Sequence, residues 1–165
     1  MGKLSDLVLY FSKIAESHID IQHTEKKCHF TKRTFEDILL DMKGENLYYP
    51  LLNLEPYDFE FTEPLSDNLH KNRNIAFSII DSVDDKTSSE KKYLSWEKCE
   101  EIGDEILIKI LTDKKNRLPV LSDFNINDVK GIPFENKADG LTGIRYEVTL
   151  SNLLNNEINK EKWLL

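Results

Sequence analysis

Cysteine is scarce: Cys28 and Cys99 are the two thiols in a chain of 165 residues. Two cysteines so far apart exclude the dense disulfide framework of a small secreted domain. One bridge remains open to them, and free thiols in a reducing cytoplasm are the favoured reading. Long apolar runs are missing too. None approaches the ~20 residues needed to cross a bilayer. The start, Met1-Gly2-Lys3-Leu4-Ser5-Asp6, is mixed and then amphipathic, unlike a signal peptide. Gly2 superficially fits an acylation start, but Asp6 stands where Ser or Thr is required. Bases are in short supply, 22 Lys and Arg against 30 Asp and Glu, for a formal charge of −8. A general duplex binder needs clustered bases to displace counterions from phosphates, so that class is excluded. No phosphate loop, nucleophile elbow, zincin helix or dinucleotide fingerprint occurs.

What is present reads as one folded domain. Hydrophobic residues make up 39% of the chain, and aromatic and branched aliphatic residues recur throughout, unlike a disordered chain. Leu4, Leu7, Val8, Phe11, Ile14 and Ala15 recur at helical spacing, with Ser5 as an expected cap. Ile19 to His23 alternates like a short strand or extended turn. Thr34 and Asp37 open a short helix carrying Phe35, Ile38, Leu39 and Met42, with Gly44 as its stop. Leu47 to Leu54 is apolar but contains Pro50, which predicts an edge strand or extended passage. Tyr57, Phe59 and Phe61 alternate with Asp58 and Glu60, a half-buried strand pattern between Pro56 and Pro64.

Asn68 to Asn74 reads as a polar turn and Ile75 to Val83 as a buried strand. A polar loop is expected from Asp84 to Lys92. Ser95 then caps a long helix whose stripe is Trp96, Cys99, Ile102, Gly103, Ile106 and Ile110, widened by Leu107 and Leu111. Glu97, Glu100 and Glu101 sit near its positive end. Phe124, Ile126 and Val129 suggest a strand, Asn136 to Gly140 a turn, and Ile144 to Leu150 an amphipathic strand. This order predicts an α+β fold: a mainly antiparallel sheet on two main helices, as a domain over 1–150. Residues 151–165 form a tail that docks on the domain or on a neighbouring subunit.

Chemistry-bearing residues do not assemble into a catalytic signature. His18, His23, Cys28 and His29 cluster in sequence but lack the paired ligand motif of a zinc site, so a hairpin with surface histidines is expected. Asp81, Asp84 and Asp85 end a strand without a phosphate loop and read as a solvated loop. Cys99 lies on an apolar stripe and reads as core. Gly140 and Gly143 read as turn and strand-opening residues. No catalytic residue, metal or cofactor is assigned. The stretch Glu55 to Asp67 is different: it holds five acids, no base, and three aromatics. Core strand and interface are equally good readings of it, since large aromatics with flanking charge anchor interfaces. Trp163 poses the same choice.

One order of features carries a resemblance. A helix precedes Tyr48-Tyr49-Pro50-Leu51-Leu52; a strand ends in Ile79-Ile80-Asp81; Ser95-Trp96 opens a helix; a last strand carries Gly143-Ile144-Arg145-Tyr146-Glu147-Val148-Thr149-Leu150. Over residues 4–150 this resembles the tail terminators, the tail-completion (head–tail neck) proteins of long-tailed bacteriophages. The Asn- and Lys-rich composition and the Gly143–Arg145 string look like phages of Bacteroidetes hosts, the crAss-like group included. The resemblance implies a non-enzymatic virion protein made in the host cytoplasm. It would form a homo-oligomeric ring, usually hexameric, between tail tube and connector, without a membrane role. DNA would pass through it without specific binding, because an acidic wall repels phosphates. Contacts are then expected at Tyr57, Phe59, Phe61, Asp84, Asp85 and Trp163. Two rivals stand beside this reading. One is a cytoplasmic adaptor or regulatory domain that binds a protein through Tyr57, Phe59 and Phe61. The other is a metal-dependent enzyme using Asp81, Asp84, Asp85 and the His18–His29 region.

Overall fold

The computed structural model describes residues 4–40, 47–63, 69–84, 87–121, 124–153 and 160–162. The fold is α+β: among the described residues, a mixed, mostly antiparallel six-stranded sheet with three α-helices. Helix α1 (Leu4–Ser17) is followed by strand β1 (Cys28–Thr31), helix α2 (Phe35–Leu40) and strands β2 (Leu47–Leu54), β3 (Asp58–Thr62) and β4 (His70–Ser82). Helix α3 (Ser89–Lys115), strand β5 (Lys130–Asn136) and strand β6 (Leu141–Leu153) complete it, with short 3-10 turns at Pro119–Leu121, Ile126–Asp128 and Lys160–Lys162. Strand β6 carries the sheet three residues past 150, into the segment expected as tail.

The strand order is β1-β2-β4-β6-β5, with β3 paired to β4 off that path. Strand β4 pairs with β6 along its whole length, from His70↔Leu153 to Ser82↔Leu141. Its other edge is shared: β2 takes Phe77 to Ile80, and β3 takes His70 to Asn74. Glu55 to Tyr57 is the step between them. Cross-strand partners share a face and neighbours along a strand alternate, so this register fixes both faces of the sheet.

Helices α1 and α3 cover the first face. Leu7, Phe11, Ile14 and Ala15 from α1 meet Cys99, Ile102, Ile106 and Ile110 from α3 over Ile75, Phe77, Ile79, Ile144, Tyr146 and Val148. Each large side chain removed from water here contributes about 1.5–3 kcal/mol. The opposite face is covered at one end by α2, where Ile38 packs on Leu51, Ile80 and Leu141. The long-helix stripe thus has the expected members.

Several expected boundaries move. Leu4 is already helical, so Ser5 lies inside the first turn of α1 and does not cap it. Ile19 to Gln22 is a turn in which Gln22 adopts φ 53°, and the strand begins later, at Cys28. Thr34 does cap α2, its hydroxyl accepting from Asp37 N at 3.1 Å; Met42 and Gly44 lie outside the described residues. Strand β2 is interior, between β1 and β4, despite Pro50. The β1–β2 register shifts between Cys28↔Leu47 and Phe30↔Leu52, and β4 pairing starts at Leu51. Pro50 therefore occupies a position where neither ladder requires its missing donor.

The expected turn over Asn68–Asn74 is strand from His70 onward, because β3 and β6 hold it from both sides. Helix α3 starts six residues before Ser95, capped by Ser88, whose hydroxyl accepts from Lys91 N at 3.3 Å. Ser95 is buried within the helix and bonds Thr142 Oγ1 on β6. The expected strand at Phe124–Val129 is a single bridge, Phe124↔Leu150, followed by a 3-10 turn. The turn at Lys137–Gly140 is as expected, with Gly140 at φ 71°, which a glycine adopts without a Cβ clash.

Candidate functional site

Strand β3 and the first half of β4 form a tongue beyond the helices. Every residue of β3 is exposed. The half-buried pattern expected for Phe59 and Phe61 is therefore not what forms: they are 50% and 54% exposed. Phe59 pairs with Arg73 and Phe61 with Lys71, and Arg73 alternates with core residues Ile75 and Phe77. The two phenylalanines thus extend the helix-covered face past the end of its cover. Their rings meet edge to face at 5.7 Å, and Lys71 Nζ stands 3.6 Å over Phe59 and 5.8 Å from Phe61. Tyr57 is half-buried against the core, and its hydroxyl accepts from Arg73 Nε at 3.3 Å.

Asp58 and Glu60 project to the opposite face, opposite Asn74 and Asn72. There Arg145 grips Glu55 with two bonds, Nε to Oε1 at 2.7 Å and Nη2 to Oε2 at 3.0 Å, and also bonds Glu147. The Glu55 contact holds the guanidinium pKa above its ordinary value, against the effect of burial. A shallow cavity of about 500 Å³ opens there, with Asp58, Asp128 and Thr149 among its walls. Alternation in β3 has sorted the acidic aromatic stretch into two surfaces, one aromatic and cationic, the other acidic.

A second recess of about 740 Å³ lies between α3 and β5, at the far edge of the sheet. Tyr93, Trp96 and Leu107 give it apolar walls, and Glu97, Glu100 and Asp104 supply acids. Trp96 Nε1 donates to the Phe134 carbonyl at 2.9 Å, which ties α3 to β5. Glu97, Glu100 and Asp104 have no basic partner among the described residues. Burial first, then Asp104 and Glu100, push the Tyr146 phenol above its ordinary range.

The remaining sequence candidates are dispersed. Asp84 is exposed at the other end of β4, about 40 Å from Phe61 at strand rise. It does not join the aromatics in one site. Asp85 and Trp163 lie outside the described residues. Asp81 is paired with Lys98 Nζ at 2.8 Å. The histidines do not decorate a surface hairpin. His29 is buried and its Nδ1 donates to the Pro50 carbonyl at 2.9 Å. His23 Nδ1 accepts from His29 N at 3.2 Å, and His18 Nε2 lies 3.1 Å from a Glu105 carboxylate oxygen. Among the described residues no three His, Cys, Asp or Glu side chains converge as a metal site. Cys99 is fully buried, and burial, with Asp81 adding, pushes its thiol up to about 12. No helix among the described residues is long and apolar enough to cross a membrane.

Sequence reasoning missed Lys71 and Arg73, because Lys71-Asn72-Arg73-Asn74 has turn-like composition. Their one signal was the alternation of Lys71 and Arg73 with the core positions Ile75, Phe77 and Ile79. It also read Glu97 and Glu100 only as partners of the helix dipole. Searches among known proteins find no family model and no curated sequence that matches the chain.

Proposed function

We propose that this chain is a structural assembly protein of a phage particle: a ring-forming tail terminator that joins the tail tube to the neck. The observation that carries the reading is the tongue. Two half-exposed phenylalanines sit side by side on a regular strand, beyond the helices that cover the rest of that face. Large aromatics held rigidly at a surface cost solubility, and they anchor interfaces when a partner covers them. The opposite face supports the DNA-passage half of the reading. Glu55, Asp58, Glu60, Asp128 and Glu147 outweigh Arg145 and Lys130, and Arg145 is engaged by Glu55 and Glu147. Such a face repels phosphate, so a genome slides past it without sticking.

The test is negative-stain microscopy and light scattering of the purified chain, alone and with the tail-tube protein encoded in the same genome. Closed rings, free or seated on tube ends, are expected. A chain that stays monomeric in both conditions refutes the reading. Co-purification with one cellular protein in cells without phage genes points to the adaptor function instead.

A further inference from the structure

Resting on that ring reading, we infer that the tongue of one copy, carrying Phe59, Phe61 and Lys71, docks in the acidic α3–β5 groove of the next copy. The two surfaces match in chemistry. The tongue offers two exposed aromatic rings with a cation over one of them, and among the described residues Lys71 has no carboxylate partner. The groove offers Trp96 and Leu107 flanked by Glu100 and Asp104, acids with no base of their own among the described residues. Aromatic anchors entering an apolar recess, with one opposite-charge contact to fix register, are the parts of a specific interface.

They also match in placement. The tongue ends one edge of the sheet at β3, and the groove lies along the other edge at β5. Each copy can therefore give its tongue to one neighbour and accept a tongue from another. That is a heterologous contact, which closes a ring when the rotation between copies divides a full turn. Tongue-to-tongue pairing would set Lys71 against Lys71 and stop at a dimer.

Charge reversal with mixing tests this. K71E inverts the tongue, and E100K/D104K inverts the groove. Each variant alone is expected to need at least about tenfold more protein to assemble, or to reach half-occupancy of tail-tube ends. In the expected hexamer an equimolar mixture should assemble as the wild type does, because alternating copies set inverted tongue in inverted groove and native tongue in native groove. Circular dichroism melts within about 2 °C of wild type show that both variants are folded. If a variant melts lower, K71Q and E100Q/D104Q replace the reversals, with weaker assembly expected from each alone. Variants that each assemble alone at wild-type concentrations overturn the tongue-and-groove contact and leave the ring reading standing. Failure of the mixture to assemble overturns it as well. A wild type that is monomeric both alone and with tubes overturns both.

Discussion

Replacing Gly103 by alanine isolates the packing that sets the distance between α3 and the sheet. In an unobstructed helix interior, Gly→Ala stabilises by about 1 kcal/mol, because glycine loses more backbone freedom on folding. Gly103 is obstructed. A Cβ there would lie 2.1 Å from Tyr146 Oη, 2.2 Å from Cζ and 2.4 Å from Cε2. Carbon atoms in contact stand about 3.5–4.0 Å apart, so the helix or the ring must move by more than an ångström. The ring has little freedom: Tyr146 is 4% exposed and stacks on Phe77 at 4.9 Å and 14°. Its hydroxyl also donates to the Glu100 carbonyl at 3.4 Å. Overpacking of this kind costs about 1–3 kcal/mol, at times more. A clash with three atoms of a fixed ring belongs at the top of that range. The net expectation for Gly103→Ala is a loss of about 2 kcal/mol, or about 4–8 °C in melting midpoint for a chain of this length. Urea and thermal melts followed by circular dichroism measure it. In a Tyr146→Leu background, which removes the outer half of the ring, the same substitution should become neutral or stabilising. A Gly103→Ala variant that melts higher than wild type refutes this picture of the α3–β6 interface.

Three other outcomes follow from named contacts. Arg145→Ala strips Glu55 of both its strong bonds while Glu55 stays largely buried, its side chain 11% exposed. The expected loss is about 1–3 kcal/mol, toward the low end because Arg145 is partly exposed, and urea titration that finds no change argues against the network. Under native conditions at pH 8, a thiol reagent should modify Cys28 readily, since it is half-buried, and Cys99 only after denaturant is added. Two equally fast thiols would contradict the buried, high-pKa environment of Cys99. Glu135 is held below its ordinary pKa by its hydrogen bond with Lys92 at 3.0 Å. A depressed folded-state value means that its stabilising effect is present above the ordinary carboxylate range. That effect is lost as pH falls through the lowered value. Carboxyl NMR titration of wild type and Lys92→Met should show the Glu135 midpoint rise in the variant.

Long apolar periodicities were legible in the sequence and local polar segments were not. The stripes of α1 and α3 and the alternation of β6 come from burial against one face, and burial writes itself into residue spacing. The first turns of α3 show no stripe because Glu90 and Lys91 face solvent there. Ser95, at the start of the stripe, therefore looked like the cap. His70 to Asn74 lacks strand-forming residues, and its strand state comes from pairing on both sides, a tertiary effect that composition does not register. The tongue was half legible. The alternation around Phe59 and Phe61 correctly implied a strand, but whether a helix would cover that face depends on where α1 and α3 end. The groove was invisible because it joins residues from α3 and β5 that are far apart in sequence.

The proposed tail-terminator role requires a phage genome that encodes this chain, and quantitative mass spectrometry of purified virions of that phage tests the central claim most directly. A tail-terminator ring requires the chain to be present at a fixed, small number of copies per particle, and to remain with tails when heads are removed. A chain abundant in infected cells but missing from washed virions would contradict that role.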